Sequence, residues 1–430
     1  MEAASTPSAF LDDLSQRGLC QNSTDLKALG TLLGDHPQRF YVGFDPTAES
    51  LHVGSLLGLV TLKRFLEAGH LPLVLVGGAT GMVGDPSGRS DERNLLDEDT
   101  LRHNLAGIQA QVESLLGDSV EVVNNWDWMS QVGVLQFLRD VGKHATVNQM
   151  VAKDSVRSRM DSEAGISYTE FSYMLLQAYD FWWLYKQRGC RLQLGGSDQW
   201  GNITAGIDLI RRREGAQAHG LTWPLLTRAD GQKFGKTAQG TIWLSAQRTI
   251  PFEFHQYFLR CDDRDVAQML AQLTSLPMSE IAAVMAEHEN SPDLRRAQHK
   301  LADEVTAFVH GEAEVRKAND AAAVFFGSGK LTAQLLESTR GIVPEVVVSQ
   351  ADLAEAESAG ENALESLLVS SGLCSSLSDA RRQLKQSAVQ INKVRVAGPV
   401  SAEEIKSHML GRYMLLQRGK KEHRLVAVTA

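Results

Sequence analysis

Five stretches of this chain set charged or hydrogen-bonding side chains among glycines, a pattern that brings functional groups close to phosphates and nucleosides. The first runs from Tyr41 to Thr47 and on to His52-Val53-Gly54-Ser55. Tyr41, Gly43 and Asp45 alternate, so in a strand they share one face. His52 stands just before a helical pattern, and helix N-termini and the carboxyl ends of parallel strands are favoured ligand positions. Alone, His52 also reads as an ordinary capping or core histidine. The second stretch, Gly77 to Gly88, packs five glycines, Pro86 and Asp85 behind an apolar strand; Asp85 also reads as a turn residue. The third, Phe171 to Tyr185, is a helix apolar nearly all round. Its polar exceptions Tyr173, Gln177 and Asp180 fall at i, i+4 and i+7, a single stripe that is either a pocket wall or a satisfied internal network. The fourth, Gln193-Leu194-Gly195-Gly196-Ser197-Asp198-Gln199, sets an acid at a helix start, a ribose-hydroxyl acceptor or a simple N-cap. The fifth holds Lys233, Lys236 and Thr237 between Gly231, Gly235 and Gly240, and suits a mobile cover for a polyphosphate or a solvated basic loop. The first and fifth stretches together are candidates for the two halves of a split polyphosphate site.

The elements that position these groups follow from periodicity. Arg39–Phe44 reads as a strand, Val53 to Ala68 as a helix ending at Gly69, and Leu71–Val76 as a buried strand. A helix from Thr100 to Leu116, strands at Val120 to Val123, Arg191 to Leu194 and Leu221 to Leu226, and a helix from Trp200 continue the alternation. The expected fold class is therefore α/β, with a Rossmann-type parallel-sheet catalytic domain over 1–230 and a lysine loop and connection over 231–245. An α-helical domain follows over 246–343, including a helix expected from Ser291-Pro292-Asp293 to Gly311 with Leu294, Ala297, Leu301, Val305 and Phe308 on one face. An acidic linker over 344–361 leads to a small α+β domain over 362–430.

The 430 residues carry a formal net charge of −9. Residues 363–430 alone are +6, which leaves −15 for the rest and marks the C-terminal segment as the candidate nucleic-acid surface. Four dispersed cysteines, no secretory leader pattern and no membrane-length apolar run lead us to expect a cytoplasmic protein away from membranes.

In combination and in this order, the stretches resemble bacterial-type tyrosyl-tRNA synthetases over essentially the whole chain. His52-Val53-Gly54-Ser55 is similar to the His-Ile-Gly-His motif of class I synthetases, and Lys233-Phe234-Gly235-Lys236-Thr237 to their Lys-Met-Ser-Lys-Ser loop. The Gly-Gly-Ser-Asp-Gln-Trp-Gly-Asn stretch is the most specific of these matches. Ser55 departs from the pattern by replacing the second histidine, Gly58 is small where many relatives carry a larger polar residue, and the lysine loop differs from the class consensus at three positions while keeping both lysines.

The resemblance implies roles residue by residue. Tyr41 and Asp180 would hydrogen-bond a substrate tyrosine hydroxyl, Asp85, Tyr173 and Gln177 would hold its ammonium group, and Gln193 would line its pocket. Gly43, Asp45, Thr47, His52, Gly54, Gly196, Asp198, Gln199 and Lys236 would surround ATP and the adenylate. Lys233, Lys236 and Thr237, with Arg89 and Arg93, would hold the departing pyrophosphate. Arg381, Arg382, Lys385, Lys393 and Arg395 would contact tRNA phosphates through a fold shared with a ribosomal protein. ATP is then a substrate accompanied by Mg²⁺ without a dedicated protein metal site, the partners are tyrosine, its tRNA and a second copy of the chain, and the product is tyrosine esterified to the 3′-terminal adenosine. Two rivals remain: a tryptophanyl relative, and a synthetase-like RNA-binding protein with impaired catalysis.

Overall fold

The computed structural model describes residues 7–35, 37–87, 97–117, 119–161, 165–227, 229, 234–237, 240–327, 329–349, 351, 355, 358, 362–419 and 422–429. The chain divides into two compact units, one of Met1–Thr249 with Tyr257–Val305, the other of Ile250–Gln256 with Thr306–Ala430.

The first unit is built on a six-stranded sheet. Its strands are β1 (Asn22–Ser23), β2 (Arg39–Phe44), β3 (Leu71–Val76), β4 (Glu121–Asn124), β5 (Leu192–Gly196) and β6 (His219–Trp223), in the order β1-β6-β5-β2-β3-β4. All neighbours are parallel except β1, which closes the β6 edge antiparallel. The strands are short apolar runs because helices cover both faces; β3 is buried from Pro72 to Val76 and β6 throughout. From β2 the chain proceeds outward to β3 and β4, whereas β5 and β6 lie on its other side. The crevice between β2 and β5 is thus the topological switch point, the place where open parallel sheets bind ligands.

Two helices bear on that crevice. Val53–Glu67 starts at the His52 cap and packs Leu56, Leu57, Leu59, Val60 and Leu62 inward. Tyr168–Arg188 starts where the Ser167 hydroxyl accepts from the Glu170 amide and stops at left-handed Gly189 (φ +66°). Its first turn carries a buried ion pair: Arg159 Nη2, from the preceding Asp154–Met160 helix, meets Glu170 Oε2 at 2.8 Å.

Three expectations are revised. The strand expected over Leu221–Leu226 is instead His219–Trp223, stopped by Pro224, so that Leu225 lies 49% exposed. The helix expected from Ser291 begins only at Arg296, after a short 3₁₀ turn at Pro292–Leu294 and a left-handed Arg295 (φ +49°). The break lets the Arg295 guanidinium donate to the carbonyls of Leu259 (3.0 Å) and Cys261 (2.8 Å), closing the carboxyl end of the Pro251–Leu259 helix, and it leaves Leu294 half exposed rather than on the buried stripe. The third revision concerns the expected linker. Between a two-stranded β7 (Lys236–Thr237) and β8 (Gly240–Thr241) hairpin and the chain end, Glu345–Ser349 forms a strand, β9.

In the second unit β9 pairs parallel with β13 (Glu422–Thr429). The sheet runs β11 (Val394–Val396), β10 (Val389–Ile391), β12 (Tyr413–Arg418), β13, β9. Its core is Leu364, Leu367, Leu368, Ile391, Ile405, Met414 and Val426, all buried. The Val-Val-Val run at 346–348 earns its strand by adding an edge to β13.

Removing one partner of the buried pair strands the other charge, a loss of about 3–5 kcal/mol. Glu170→Ala is therefore expected to lower unfolding stability by that order in denaturant titration. A change below about 1 kcal/mol would mean that Arg159 finds compensation without Glu170.

Candidate active site

A cleft of about 740 Å³ opens at the carboxyl ends of β2, β3, β5 and β6. Tyr41, Gly43, Asp45, Thr47, His52, Gly54, Asp85, Tyr173, Gln177, Asp180, Gln193, Gly196, Asp198 and Gln199 all line it. Arg89, Arg93 and Lys233 lie outside the described residues; for Lys236 and Thr237 only the backbone is described, in β7.

At the inner end lies a network that the polar stripe begins and other elements complete. Asp180 is fully buried and accepts from Asn125 Nδ2 (2.9 Å) and Trp128 Nε1 (2.8 Å). Asn125 also donates to Thr80 Oγ1 (3.1 Å) and accepts from the Ala79 amide (2.7 Å). Thr80 donates to Asp45 Oδ1 (3.3 Å), which also accepts from Tyr173 Oη (3.2 Å). Tyr173 and Asp180 share a helix, so the network closes on itself. Burial pushes the Asp180 carboxyl up to about 7; the two donors pull it down, and Asp45 adds to the rise.

Beside Asp180 stand polar atoms with nothing to bond. Tyr41 Oη and Gln193 Oε1 are buried without a hydrogen-bond partner, and their residues are cross-strand neighbours on β2 and β5. Burial, then the nearby Asp180, raises the Tyr41 phenol well above its ordinary value, so it remains a donor. Ser87 Oγ is likewise buried and unpartnered. Such orphans are costly unless something else satisfies them.

The middle of the cleft is a carboxamide and carboxylate chain. Gln199 Nε2 donates to Asp85 Oδ2 (2.7 Å), and Asn202 Nδ2 donates to Gln177 Oε1 (3.1 Å) and Gln199 Oε1 (3.2 Å). Burial foremost, with Asp85 adding to it, raises the Asp198 carboxyl above its ordinary value. Asp45, Asp85, Asp180 and Asp198 make this cleft a receptor for a cationic or multiply hydroxylated group.

At the outer end His52 is both a cap and a site residue. Its Nδ1 accepts from the Gly54 amide (2.9 Å), which in the neutral ring leaves the proton on Nε2. A Cβ at residue 54 would come within 2.6 Å of the His52 ring, so this arrangement requires glycine. The Val53 amide donates to Ile242 O (3.0 Å) and the Ser55 amide to His52 O (2.8 Å). The first three amides of this helix are therefore already engaged, and its anion affinity rests on the macrodipole and on side chains. Gly58 is small for a local reason: a Cβ there would stand 3.2 Å from Trp223 Cζ2, and Trp223 lines the cleft.

Sequence reading missed Asn125 and Trp128. Its strand stopped at Val123, one residue short of the Asn124 that ends β4; two asparagines at a strand's carboxyl end were the available signal.

In the second unit Arg381 pairs with Glu365 (2.8 Å) and Arg382 with Asp379 (2.6 Å), both remaining exposed, while Lys385 and Arg395 are also exposed. Lys393 is turned inward: Nζ donates to the carbonyls of Ala323 (3.0 Å) and Gly327 (2.5 Å), closing the Glu312–Phe326 helix.

Residues 34–327 match the family described as tRNA synthetases class I (W and Y), and residues 345–426 match the tyrosine–tRNA ligase SYY-like C-terminal domain. The chain is 46% identical over 426 residues to the tyrosine–tRNA ligase of Opitutus terrae, covering 97% of this chain and 99% of that one. It is 46% identical over 435 residues to the tyrosine–tRNA ligase of Rhodopirellula baltica, covering 100% and 98%. Among solved structures it resembles a C-terminally truncated mitochondrial tyrosyl-tRNA synthetase of Aspergillus nidulans, with a TM-score of 0.67 and 32% identity over 74% of this chain and 94% of that one.

The Asp180 carboxyl binds its proton more tightly folded than unfolded. Its contribution to stability is full below about pH 4 and is lost as pH rises through about 7. Asparagine has no proton to lose. The stability of wild type relative to Asp180→Asn should therefore fall between pH 4 and 7 and level off above; denaturant titrations across that range giving a constant difference would contradict the assignment.

Proposed function

The chain belongs to the class I tRNA synthetases of the tryptophan and tyrosine group and, within it, to the tyrosine–tRNA ligases, and from that premise we infer how its cleft carries out the reaction. The enzyme is an ATP-dependent ligase that joins tyrosine to tRNA. In the first step the tyrosine carboxylate, ionised at neutral pH, attacks the α-phosphorus of ATP; the new O–P bond forms as the bond to the β-phosphate oxygen breaks, and pyrophosphate leaves. In the second, a ribose hydroxyl of the 3′-terminal adenosine attacks the tyrosyl carbonyl and AMP departs. The ionised carboxylate of the first step needs no general base, and in the second step the hydroxyl's proton passes to the phosphate of the departing AMP, so the protein's task is alignment and charge stabilisation.

The observation that carries the pocket assignment is the buried, unpartnered Tyr41 Oη and Gln193 Oε1 beside Asp180. A substrate phenol donates to the Asp180 carboxylate and accepts from Tyr41, which gives the Tyr41 hydroxyl its partner. Asp85, Tyr173 and Gln177 take the ammonium group. Gly43, Thr47, Gly54, Gly196, Asp198 and Gln199 surround the ribose and adenylate, with Asp45 bracing Tyr173. His52 Nε2 donates toward the phosphates, and Lys233, Lys236, Thr237, Arg89 and Arg93 supply the remaining polyphosphate contacts. Mg²⁺ enters with ATP. Val134, Leu135 and Leu138, exposed apolar residues of the short Val134–Asp140 helix, support a homodimer reading, which light scattering would test. We read the enzyme as cytoplasmic; among the described residues no helix is long and apolar enough to cross a membrane.

Pyrophosphate exchange into ATP with each amino acid in turn tests the reading: exchange with tyrosine is expected, and exchange with tryptophan alone, or with none, would overturn it. Tyr41→Phe sharpens it. Loss of the orphan hydroxyl should leave the empty protein as stable or more stable by up to about 1–3 kcal/mol while eroding discrimination against phenylalanine. Discrimination unchanged in the variant would remove Tyr41 from the phenol site.

For tRNA, Lys385 and Arg395 are the freest of these five cations, the exposed Arg381 and Arg382 reach it after yielding the largely covered carboxylates of Glu365 and Asp379, and Lys393 serves the fold. Neutralising Lys385 and Arg395 together should weaken tRNA binding and flatten its log–log salt dependence by roughly two. Lys393→Ala should chiefly lower stability; a salt slope moved by Lys393 and not by the other two would reverse the assignment.

A further inference from the structure

The lysine loop is tied to the His52 turn through groups that no motif includes. Phe234 is buried, with its ring centroid 5.2 Å from that of Tyr257 in an edge contact and 5.9 Å from that of Phe258. Tyr257 Oη accepts the Gly235 amide at 2.8 Å. The Gly235 carbonyl accepts from the Ile242 amide (3.1 Å), and the Ile242 carbonyl accepts from the amide of Val53, the first residue of the helix that His52 caps. Gly235 has φ +87°, and a Cβ there would stand 2.5 Å from Val53 Cγ2, so this close approach admits only glycine without rearrangement. A continuous relay thus runs Tyr257 Oη, Gly235, Ile242, Val53. Beside it His52 and Trp243 bridge backbone to backbone, and the Leu244 amide donates to Leu51 O (2.9 Å).

Resting on the function proposed above, we propose that Tyr257 is a positioning residue: its hydroxyl sets the loop backbone that leads into Lys236 at a fixed distance from the His52 turn, so that both halves of the nucleotide site meet one polyphosphate. The physical case is geometric. Phe234 and its aromatic neighbours fix where the loop enters, but apolar contact is non-directional. The Tyr257 hydrogen bond supplies the direction, because the Gly235 amide points at one atom. Lys236 follows immediately in β7, whose partner strand β8 leads into Ile242 and so back to Val53. Tyr257 touches neither substrate in this arrangement. It acts through the loop, and its loss should therefore appear in the chemical step while tyrosine binding stays intact.

Tyr257→Phe in the full chain keeps the ring against Phe234 and removes only the hydroxyl, the acceptor of the Gly235 amide. Loss of one such hydrogen bond is expected to lower kcat for tyrosine-dependent pyrophosphate exchange roughly five- to ten-fold. The equilibrium dissociation constant for tyrosine and the Tm should be unchanged. In a Lys236→Ala background the same substitution should produce little further loss, since both act through one loop. Hydrogen exchange provides a readout independent of activity: the Gly235 amide should exchange about ten-fold faster in the variant. Wild-type kcat with unaltered Gly235 protection, an equal loss of tyrosine affinity, or fully additive losses with Lys236→Ala would each overturn the role of Tyr257. Failure of the wild-type chain to catalyse tyrosine-dependent exchange would instead strike the function proposed above, and the Gly235 protection would still test the anchor.

Discussion

The buried Asp180 carboxylate is the constraint around which the site is arranged. A carboxylate taken out of water needs donors fixed in place, and Asn125 and Trp128 provide them from the segment that follows β4. Asn125 is held in turn by Ala79 and Thr80, Thr80 by Asp45, and Asp45 by Tyr173, one helix with Asp180. Four elements distant in sequence are thereby locked by one closed polar circuit. Trp128 stacks on Trp183 at 4.1 Å and 13°, so the donor to Asp180 is also braced from behind. A partly satisfied network of this kind would be worse than an apolar core, whereas a closed one rigidifies.

Set against that closure, the unpaired Tyr41 and Gln193 atoms are informative. The same interior that satisfies Asp180 on both oxygens leaves these two neighbours unmet. An interior selected for stability alone would have a phenylalanine and a leucine there. Retained polar atoms at the switch point of a parallel sheet mark the place where a ligand completes the hydrogen bonding, and stability is conceded to recognition.

Much of this was legible in sequence, for identifiable reasons. Strand β3 is a continuous apolar run and β2 a largely apolar one, both bounded by turn residues, and their limits match the sequence reading. The Tyr173, Gln177 and Asp180 stripe stood out because polar groups on an apolar helix violate the pattern around them. What escaped was tertiary. Asn125 and Trp128 look like ordinary loop residues until the fold brings them to Asp180. Lys393 counted as a surface cation because sequence cannot show a side chain turned back to close a helix. The β9 strand was hidden by the acidic residues after it, although its three valines were visible; its partner, β13, lies more than seventy residues away. Arg295 broke its helix to serve the carbonyls of another one, a purely long-range reason.

The electrostatics of the cleft then explain why the lysine loop must be held rather than merely present. Four aspartates line the cavity, and among the described lining residues there is no lysine or arginine. That field favours an ammonium group and opposes a polyphosphate. The helix N-terminus facing it has its first three amides engaged by Ile242 and His52, and Ser55 stands where a second imidazole would otherwise add a donor. Trp223 over Gly58 further replaces a polar contact by an apolar wall. With so little anion affinity in the frame itself, the proposed polyphosphate contacts depend on cations that the cleft wall does not supply. Charge alone falls short, because a flexible cation spends its attraction on ordering entropy. A hydrogen-bonded relay from Tyr257 through Gly235 and Ile242 to Val53 removes part of that cost beforehand, by making the loop's backbone an extension of the helix that carries the other half of the site.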